Sequence, residues 1–171
     1  FDAATRTFSG TPGDANAGTM SIDVIANDGN GGTVTDTFNI VVSAVNDAPT
    51  ITAPGSISIN EDASGALSGI SFSDVDAGTG PVTVTLSVPS GSLAATSASG
   101  VTVGGTASAM TLSGGISDIN AFIAASGVRF TTASNATANV TLTVVIDDGG
   151  NTGSGGAQTD TTNVTLTVTA V

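Results

Sequence analysis

Alternation of apolar and polar residues is the main pattern in this chain of 171 residues. Between Met20 and Ala26, for example, Ile22, Val24 and Ala26 would share one face of an extended backbone, opposite Asp23. Side chains of a strand point alternately to its two faces, so this period of two predicts a strand with one buried face. Comparable runs between Gly, Asn, Asp and Ser clusters predict strands near 5–8, 20–26, 34–45, 51–52, 56–60, 67–72, 82–88, 93–96, 101–103, 109–112, 128–132, 140–146 and 162–169. The expected fold class is all-β, built from β-sandwiches.

One segment follows a helical period instead. Ile119, Phe122 and Ile123 recur at i, i+3 and i+4, Ser117 is a candidate N-cap, and Gly127 follows as a stop signal. The sequence therefore predicts one short helix that closes an edge or an end of a sandwich.

The end of the chain repeats a pattern from near its beginning. Phe38–Val45 matches Val164–Val171 and Ile25–Gly29 matches Val145–Gly149, with residue numbers that differ by 126 and 120. Repetition at a long period is typical of tandem modules. We predict tandem Greek-key β-sandwiches: residues 1–45 form the C-terminal part of one unit, and residues 46–171 form a complete second unit. An upstream segment or another chain would supply the other strands of the first.

Charge and composition narrow the function. The chain has 14 acidic and 2 basic residues, and its net charge of −12 disfavours nucleic acid and anionic membrane surfaces. No apolar run reaches the length of a membrane span. The absence of His and Cys excludes a Ser/His/Asp triad, a Cys nucleophile and an ordinary zinc site. We expect a protein that is not an enzyme and has no small-molecule substrate.

Oxygen ligands for a hard cation are the remaining chemistry. Asp74 and Asp76 lie two residues apart after a predicted strand, so an extended backbone would direct both carboxylates to one face. Asp47 comes from the linker Ala44–Pro49, and Asp148 from the end of another strand. A bound Ca²⁺ would connect these segments, and the empty carboxylates would repel one another.

The same motifs have an explanation without a metal, and the residues leave both open. The Asn-Asp-x-Pro pattern at 46–49 also favours a turn. The Asp-Gly pairs at 28–29 and 148–149 are hairpin signals. Glu61 and Asp62 are equally compatible with the solvated end of a strand.

Several motifs resemble those of known families of surface proteins. Phe1–Pro12, followed by Ala26–Gly29, resembles the end of a dystroglycan-type cadherin-like domain. A second resemblance is to the immunoglobulin-like repeats of giant bacterial RTX-type adhesins, and it rests on Asn46–Pro49, Asn60–Asp62, Ser73–Asp76 and Ser117–Ala121. Together the resemblances cover nearly the whole chain.

The resemblance implies a calcium-binding joint between neighbouring modules. Carried over from the cadherin pattern, the implied ligands of this joint are Asn46, Asp47, Asp74, Asp76 and Asp148. Asp28 would take the role of Asp148 in the joint upstream, and Glu61 would serve the joint downstream. The sequence departs from the pattern at Ala44 and Ala48, which replace an Asp and an Asn, so one or two ions are expected rather than three.

The expected function is a calcium-rigidified spacer within a secreted or surface-attached bacterial adhesin. Its partners would be the neighbouring repeats of the same polypeptide, outside the cell. The alternative is a self-assembling surface-layer or filament subunit, in which strands from another copy complete residues 1–45 by β-augmentation.

Overall fold

The computed structural model describes residues 2, 4–98, 100–150 and 152–171. The chain divides into two compact units, Phe1–Val45 (unit 1) and Asn46–Val171 (unit 2). The predicted all-β, immunoglobulin-like sandwich architecture is confirmed. None of the helices in the described ranges is long and apolar enough to cross a membrane.

Unit 1 is built around one hairpin. Strand β1 (Gly18–Asn27) pairs antiparallel with β2 (Thr33–Val42) along the full length of both strands. A short 3-10 helix, Asp14–Asn16, precedes them.

The strand predicted at 5–8 is wrong. Asp2 Oδ1 accepts hydrogen bonds from the Ala4 and Thr5 amides at 2.9 and 3.3 Å. Arg6 follows with a φ of 55°, in the left-handed region. A side chain that captures nearby amides favours a turn over a strand, and this local competition overrides the β-propensity of the threonines.

Unit 2 contains eleven strands and one α-helix in its described residues. They are β3 (Thr50–Thr52), β4 (Ser56–Asn60), β5 (Ser64–Ala66), β6 (Ser71–Ser73), β7 (Pro81–Ser87), β8 (Ser92–Ala95), β9 (Thr102–Gly105), β10 (Ala109–Gly115), α1 (Ile116–Ala124), β11 (Val128–Thr131), β12 (Val140–Asp147) and β13 (Thr159–Thr169). The largest sheet has the order β4-β13-β12-β7-β10-β9. In this sheet β4 runs parallel to β13, and the other neighbours are antiparallel. Smaller antiparallel sheets are β5-β11-β8 and β3-β6.

The core of unit 2 follows the predicted alternation. Every second residue is buried from Val140 to Ile146 on β12 and from Val164 to Val168 on β13. The strand predicted at 67–72 is wrong, because the chain leaves the sheet of β5 and enters the sheet of β6 there. Gly69, with a φ of 78°, lies between the two strands.

Helix α1 lies next to the edge of strand β6. Ile119, Phe122 and Ile123 are buried, as the helical period predicts. The Asn120 side chain accepts from the Phe72 amide and donates to the Phe72 carbonyl, both over 2.9 Å. The predicted N-cap is wrong: Gly115 takes that position without a side-chain bond, and Ser117 lies inside the helix.

Candidate functional site

Asn46 is the buried residue at which unit 2 begins. The residue is 2% exposed, and its side chain donates to Asp148 Oδ2 at 2.6 Å and to the Gly156 carbonyl at 2.9 Å. Its backbone amide donates to the Ser154 carbonyl at 2.8 Å, and its carbonyl accepts from Gln158 Nε2 at 2.6 Å. The first residue of unit 2 is thus held on both its side chain and its backbone by the loop between β12 and β13.

Asp148 is the acceptor at the centre of this contact. Oδ1 accepts from the backbone amides of Gly150 at 2.7 Å and Gln158 at 2.8 Å, and Oδ2 accepts from Asn46. The residue is 1% exposed. Burial raises its pKa, but the hydrogen bonds from Gln158, Gly150 and Asn46 outweigh that effect and hold the pKa below its ordinary value of 3.8. Asp148 is therefore an ionised carboxylate neutralised by N–H donors.

Asp74 and Asp76 form a second group, directly after β6. Asp74 Oδ1 accepts from the amides of Asp76 at 3.1 Å and Ala77 at 3.2 Å, which closes a turn. Asp76 Oδ2 accepts from the Asp47 amide at 2.9 Å. The other two oxygens, Asp74 Oδ2 and Asp76 Oδ1, are buried and have no hydrogen-bond partner in the described structure.

The carboxylate of Asp76 affects the pKa of Asp74. Burial raises the pKa of Asp74, and contact with the carboxylate of Asp76 raises it further. Two buried acceptors without a donor leave negative charge uncompensated, which is unfavourable for the ionised pair. Binding of a proton or a cation would compensate this negative charge.

Asp47 and Thr152 connect this pair to the rest of the site. The side chain of Asp47 is exposed, beside the backbone amide that binds Asp76. The hydroxyl of Thr152, in the β12–β13 loop, donates to the Asp76 carbonyl. The linker, the turn after β6 and the β12–β13 loop therefore meet at one end of unit 2.

Hydrogen bonds link the five residues of the implied joint in two groups. Asn46 pairs with Asp148, whereas the Asp47 backbone lies with the Asp74–Asp76 pair. Within the described ranges, no group of three or more Asp or Glu residues is arranged to hold a metal ion. A cation at the Asp74–Asp76 pair would need further oxygens from Asp47 or from water.

The residues assigned to the neighbouring joints lie elsewhere. Asp28 is exposed in the β1–β2 turn, where Oδ1 accepts from the amides of Asn30 at 2.8 Å and Gly32 at 2.9 Å. The hydrogen bond from Asn30, followed by that from Gly32, lowers the pKa of Asp28. Glu61 Oε1 accepts from the Val171 amide at 3.1 Å. This contact lies next to the C-terminal end of β13, whereas Asp148 lies near the N-terminal end of that strand.

Sequence reasoning missed Gln158 and Thr152. Gln158 contributes both an amide to Asp148 and a side chain to Asn46. A signal for Gln158 was present, because the offset between the matched segments grows from 120 to 126 across this loop. The larger offset aligns Gln158 with Gly32, whose amide binds Asp28 in the same way. Nothing comparable in the sequence marks Thr152.

Comparison with protein families matches residues 1–43 to the He_PIG model, described as "Putative Ig domain". That part of the chain is thus similar to an immunoglobulin-like domain. Such all-β domains are typically structural, non-enzymatic modules of surface or adhesion proteins. No curated protein matches the chain.

Proposed function

We propose that this chain is a calcium-stiffened spacer of a bacterial surface adhesin of the RTX type, with Ca²⁺ held by Asp74 and Asp76. The observation that carries the proposal is the pair of buried carboxylate oxygens, Asp74 Oδ2 and Asp76 Oδ1, that have no donor in the described structure. Calcium prefers carboxylate oxygens as ligands, so the donor set fits this ion.

Electrostatics favours a cation over the empty pair. The raised pKa of Asp74 reflects its burial and the nearby carboxylate of Asp76. The chain as a whole carries a net charge of −12, so the surrounding field also attracts cations. A divalent ion would neutralise both carboxylates at once.

Asp47 would complete the protein's share of the ligands. Its backbone amide donates to Asp76 Oδ2, so Asp47 lies beside the pair, and its own side chain is exposed. Asn46 and Asp148 are engaged with each other, so we assign them the role of fixing the linker rather than ligating the ion. Since Ca²⁺ takes about six to eight oxygens, water would supply the rest.

The mechanical role follows from the segments that meet at the site. Asp47 belongs to the segment where unit 2 begins, and Asp74 and Asp76 belong to a turn inside unit 2. Bound calcium would connect the two segments, because both would coordinate the same ion. Without it, repulsion between Asp74 and Asp76 opposes their close approach, and the start of unit 2 is held less firmly. A string of such units would be stiffer in the calcium-rich medium outside a cell.

Calcium titration by calorimetry tests the proposal. We expect the 171-residue chain to bind Ca²⁺ with a Kd on the order of 10⁻⁴ to 10⁻³ M, as extracellular modules do. Asp76→Asn should weaken binding at least about tenfold, because it removes one of the three carboxylate ligands. Asp36→Asn, which removes an exposed acid on β2, is the matched control and should leave the Kd unchanged. Equal heats for the two variants would contradict the proposal.

A further inference from the structure

The β1–β2 hairpin of unit 1 is the structural counterpart of the β12–β13 hairpin of unit 2. Ile22 pairs with Phe38 in the first, and the matched residues Leu142 and Val164 pair in the second. The register of the two hairpins is therefore the same. The offsets of 120 on the first strand and 126 on the second relate each of the eight β12–β13 pairs to a β1–β2 pair.

Hydrogen bonds between the strands repeat at matched positions. The Thr37 hydroxyl donates to Asp23 Oδ1 at 2.7 Å. At the corresponding place in unit 2, the Thr143 hydroxyl donates to Asn163 Oδ1 at 3.0 Å. Donor and acceptor have exchanged strands, but the bond links the same two positions.

The turns of the two hairpins also have the same pattern of hydrogen bonds. Asp28 Oδ1 accepts from the amides two residues and four residues further on, and the Asp28 amide donates to the Gly32 carbonyl at 3.1 Å. Asp148 Oδ1 accepts from Gly150 and Gln158, and the Asp148 amide donates to the Gln158 carbonyl at 3.1 Å. The longer loop of unit 2 is an insertion into the same turn.

The two hairpins differ in what covers their inner faces. In unit 2 this face is buried at Val140, Leu142, Val144, Ile146, Val164, Leu166 and Val168. In unit 1 the matched residues Met20, Val24 and Phe38 are 57%, 48% and 38% exposed. Phe8 contacts Phe38 edge to face, with ring centroids 5.8 Å apart. A two-stranded hairpin with an open apolar face is only marginally stable in water.

We propose that the inner face of β1–β2 is the docking surface for the front half of an immunoglobulin-like unit, supplied by the preceding segment of the same polypeptide. Unit 2 identifies the occupant. There β7 pairs with the edge of β12 and β4 pairs with the edge of β13. The inner face of the hairpin belongs to one hydrophobic core with Leu93 of β8, Ile119 of α1 and Phe130 of β11. All of these elements belong to residues 46–139, which precede the hairpin in the chain.

Asp28 adds a specific polar contact to this surface. In unit 2, Asp148 Oδ2 receives the side-chain amide of Asn46, from the linker at the start of the unit. The exposed Asp28 is the matched carboxylate, and an open depression of about 420 Å³ lies beside it, lined by Ala26, Asn27, Asp28, Gly32, Thr33 and Val34. The preceding segment therefore contributes an Asn-like amide to Asp28 Oδ2.

Thiol labelling tests the docking surface, because the chain contains no cysteine. Met20→Cys places a thiol on the inner face, and Ile25→Cys, at a residue 64% exposed on the outer face, is the matched control. Labelling rates are compared between two proteins. One is the 171-residue chain, and the other is a longer chain that also contains the natural upstream sequence, over a length at least that of residues 46–139. We expect the extension to slow labelling at position 20 about tenfold or more, and to leave position 25 unchanged.

Three outcomes would overturn the proposal. One is equal labelling of position 20 in the two proteins. Another is slow labelling of position 20 in the 171-residue chain that depends on its concentration, which would make a second copy the occupant. The third is a gene that encodes no such upstream segment. All measurements are made in EDTA, so their result does not depend on the calcium site.

Asp28→Asn tests the polar contact separately. The variant keeps Oδ1 for the amides of Asn30 and Gly32 but replaces the second acceptor with a donor. In the extended protein it should speed labelling at position 20 severalfold, and in the 171-residue chain it should have no effect. An unchanged rate in both would remove the amide contact from the proposal.

Discussion

Asn46 donates its side-chain amide to Asp148 Oδ2 over 2.6 Å, although the two residues lie 102 positions apart. Both are buried, so the contact belongs to the fold of unit 2 rather than to a mobile linker. The Asn-Asp-x-Pro motif therefore starts a module by fixing its first residue. In the sequence, the motif predicts either a turn or a metal-binding joint. In the structure, its Asn instead donates a hydrogen bond to the buried Asp148.

Substitution of Asn46 tests this contact. Asn46→Ala leaves the buried Asp148 carboxylate without its side-chain donor and should lower the free energy of unfolding by about 2–3 kcal/mol. Urea unfolding in EDTA measures the loss without interference from calcium. Asp47→Asn, at the exposed neighbouring side chain, should change stability by no more than about 0.5 kcal/mol. Equal effects of the two variants would contradict the role given to Asn46.

Helix α1 offers a second stability test. Asn120→Ala removes both hydrogen bonds to the backbone of the buried Phe72 and should destabilise unit 2 by about 1–3 kcal/mol. Ser117→Ala should be nearly neutral, because Ser117 lies inside the helix and Gly115 is the N-cap. If Ser117 were the cap, its removal would cost about 1 kcal/mol. Thermal unfolding of the two variants distinguishes these cases.

The acid dependence of Asp74 and Asp148 should have opposite signs. The pKa of Asp148 is lowered in the folded state, so its contribution to stability is present above 3.8 and is lost as the pH falls through the folded pKa. The pKa of Asp74 is raised, so its contribution is present below 3.8 and is lost as the pH rises through the folded pKa. Carboxyl NMR titration in EDTA should therefore find Asp148 titrating below 3.8 and Asp74 above it. The reverse order would contradict the environments described for the two side chains.

Much of the fold could be predicted from the sequence, because periodicity reports burial directly. The alternation along β12 places Leu142 and Val144 in the core, where the structure has them. The same signal does not say which sheet a strand joins. Leu67 and Phe72 are both buried, as their apolar character suggests, but Leu67 directly follows β5, whereas Phe72 lies in β6, which belongs to a different sheet. Pairing over long sequence distances decides this, and no local pattern records it.

The candidate site could be predicted only in its residue types. The spacing of Asp74 and Asp76 predicts a pair of carboxylates on one face, and both residues lie in one turn with partly buried carboxylates. That Asp148 would be occupied by Asn46 and Gln158 depends on how the β12–β13 loop folds over the linker. A carboxylate looks the same in the sequence whether N–H donors or a cation neutralise it.

Thermal unfolding of the 171-residue chain in calcium and in EDTA tests the central claim most directly. At a calcium concentration about 100 times the Kd, binding adds about 2.7 kcal/mol to the stability of the bound form, so the Tm of unit 2 should rise by about 5–10 °C. Asp74→Asn should lose this rise, and Asp36→Asn should keep it. Superimposable melting curves for the unmodified chain in calcium and in EDTA would contradict a calcium site at Asp74 and Asp76.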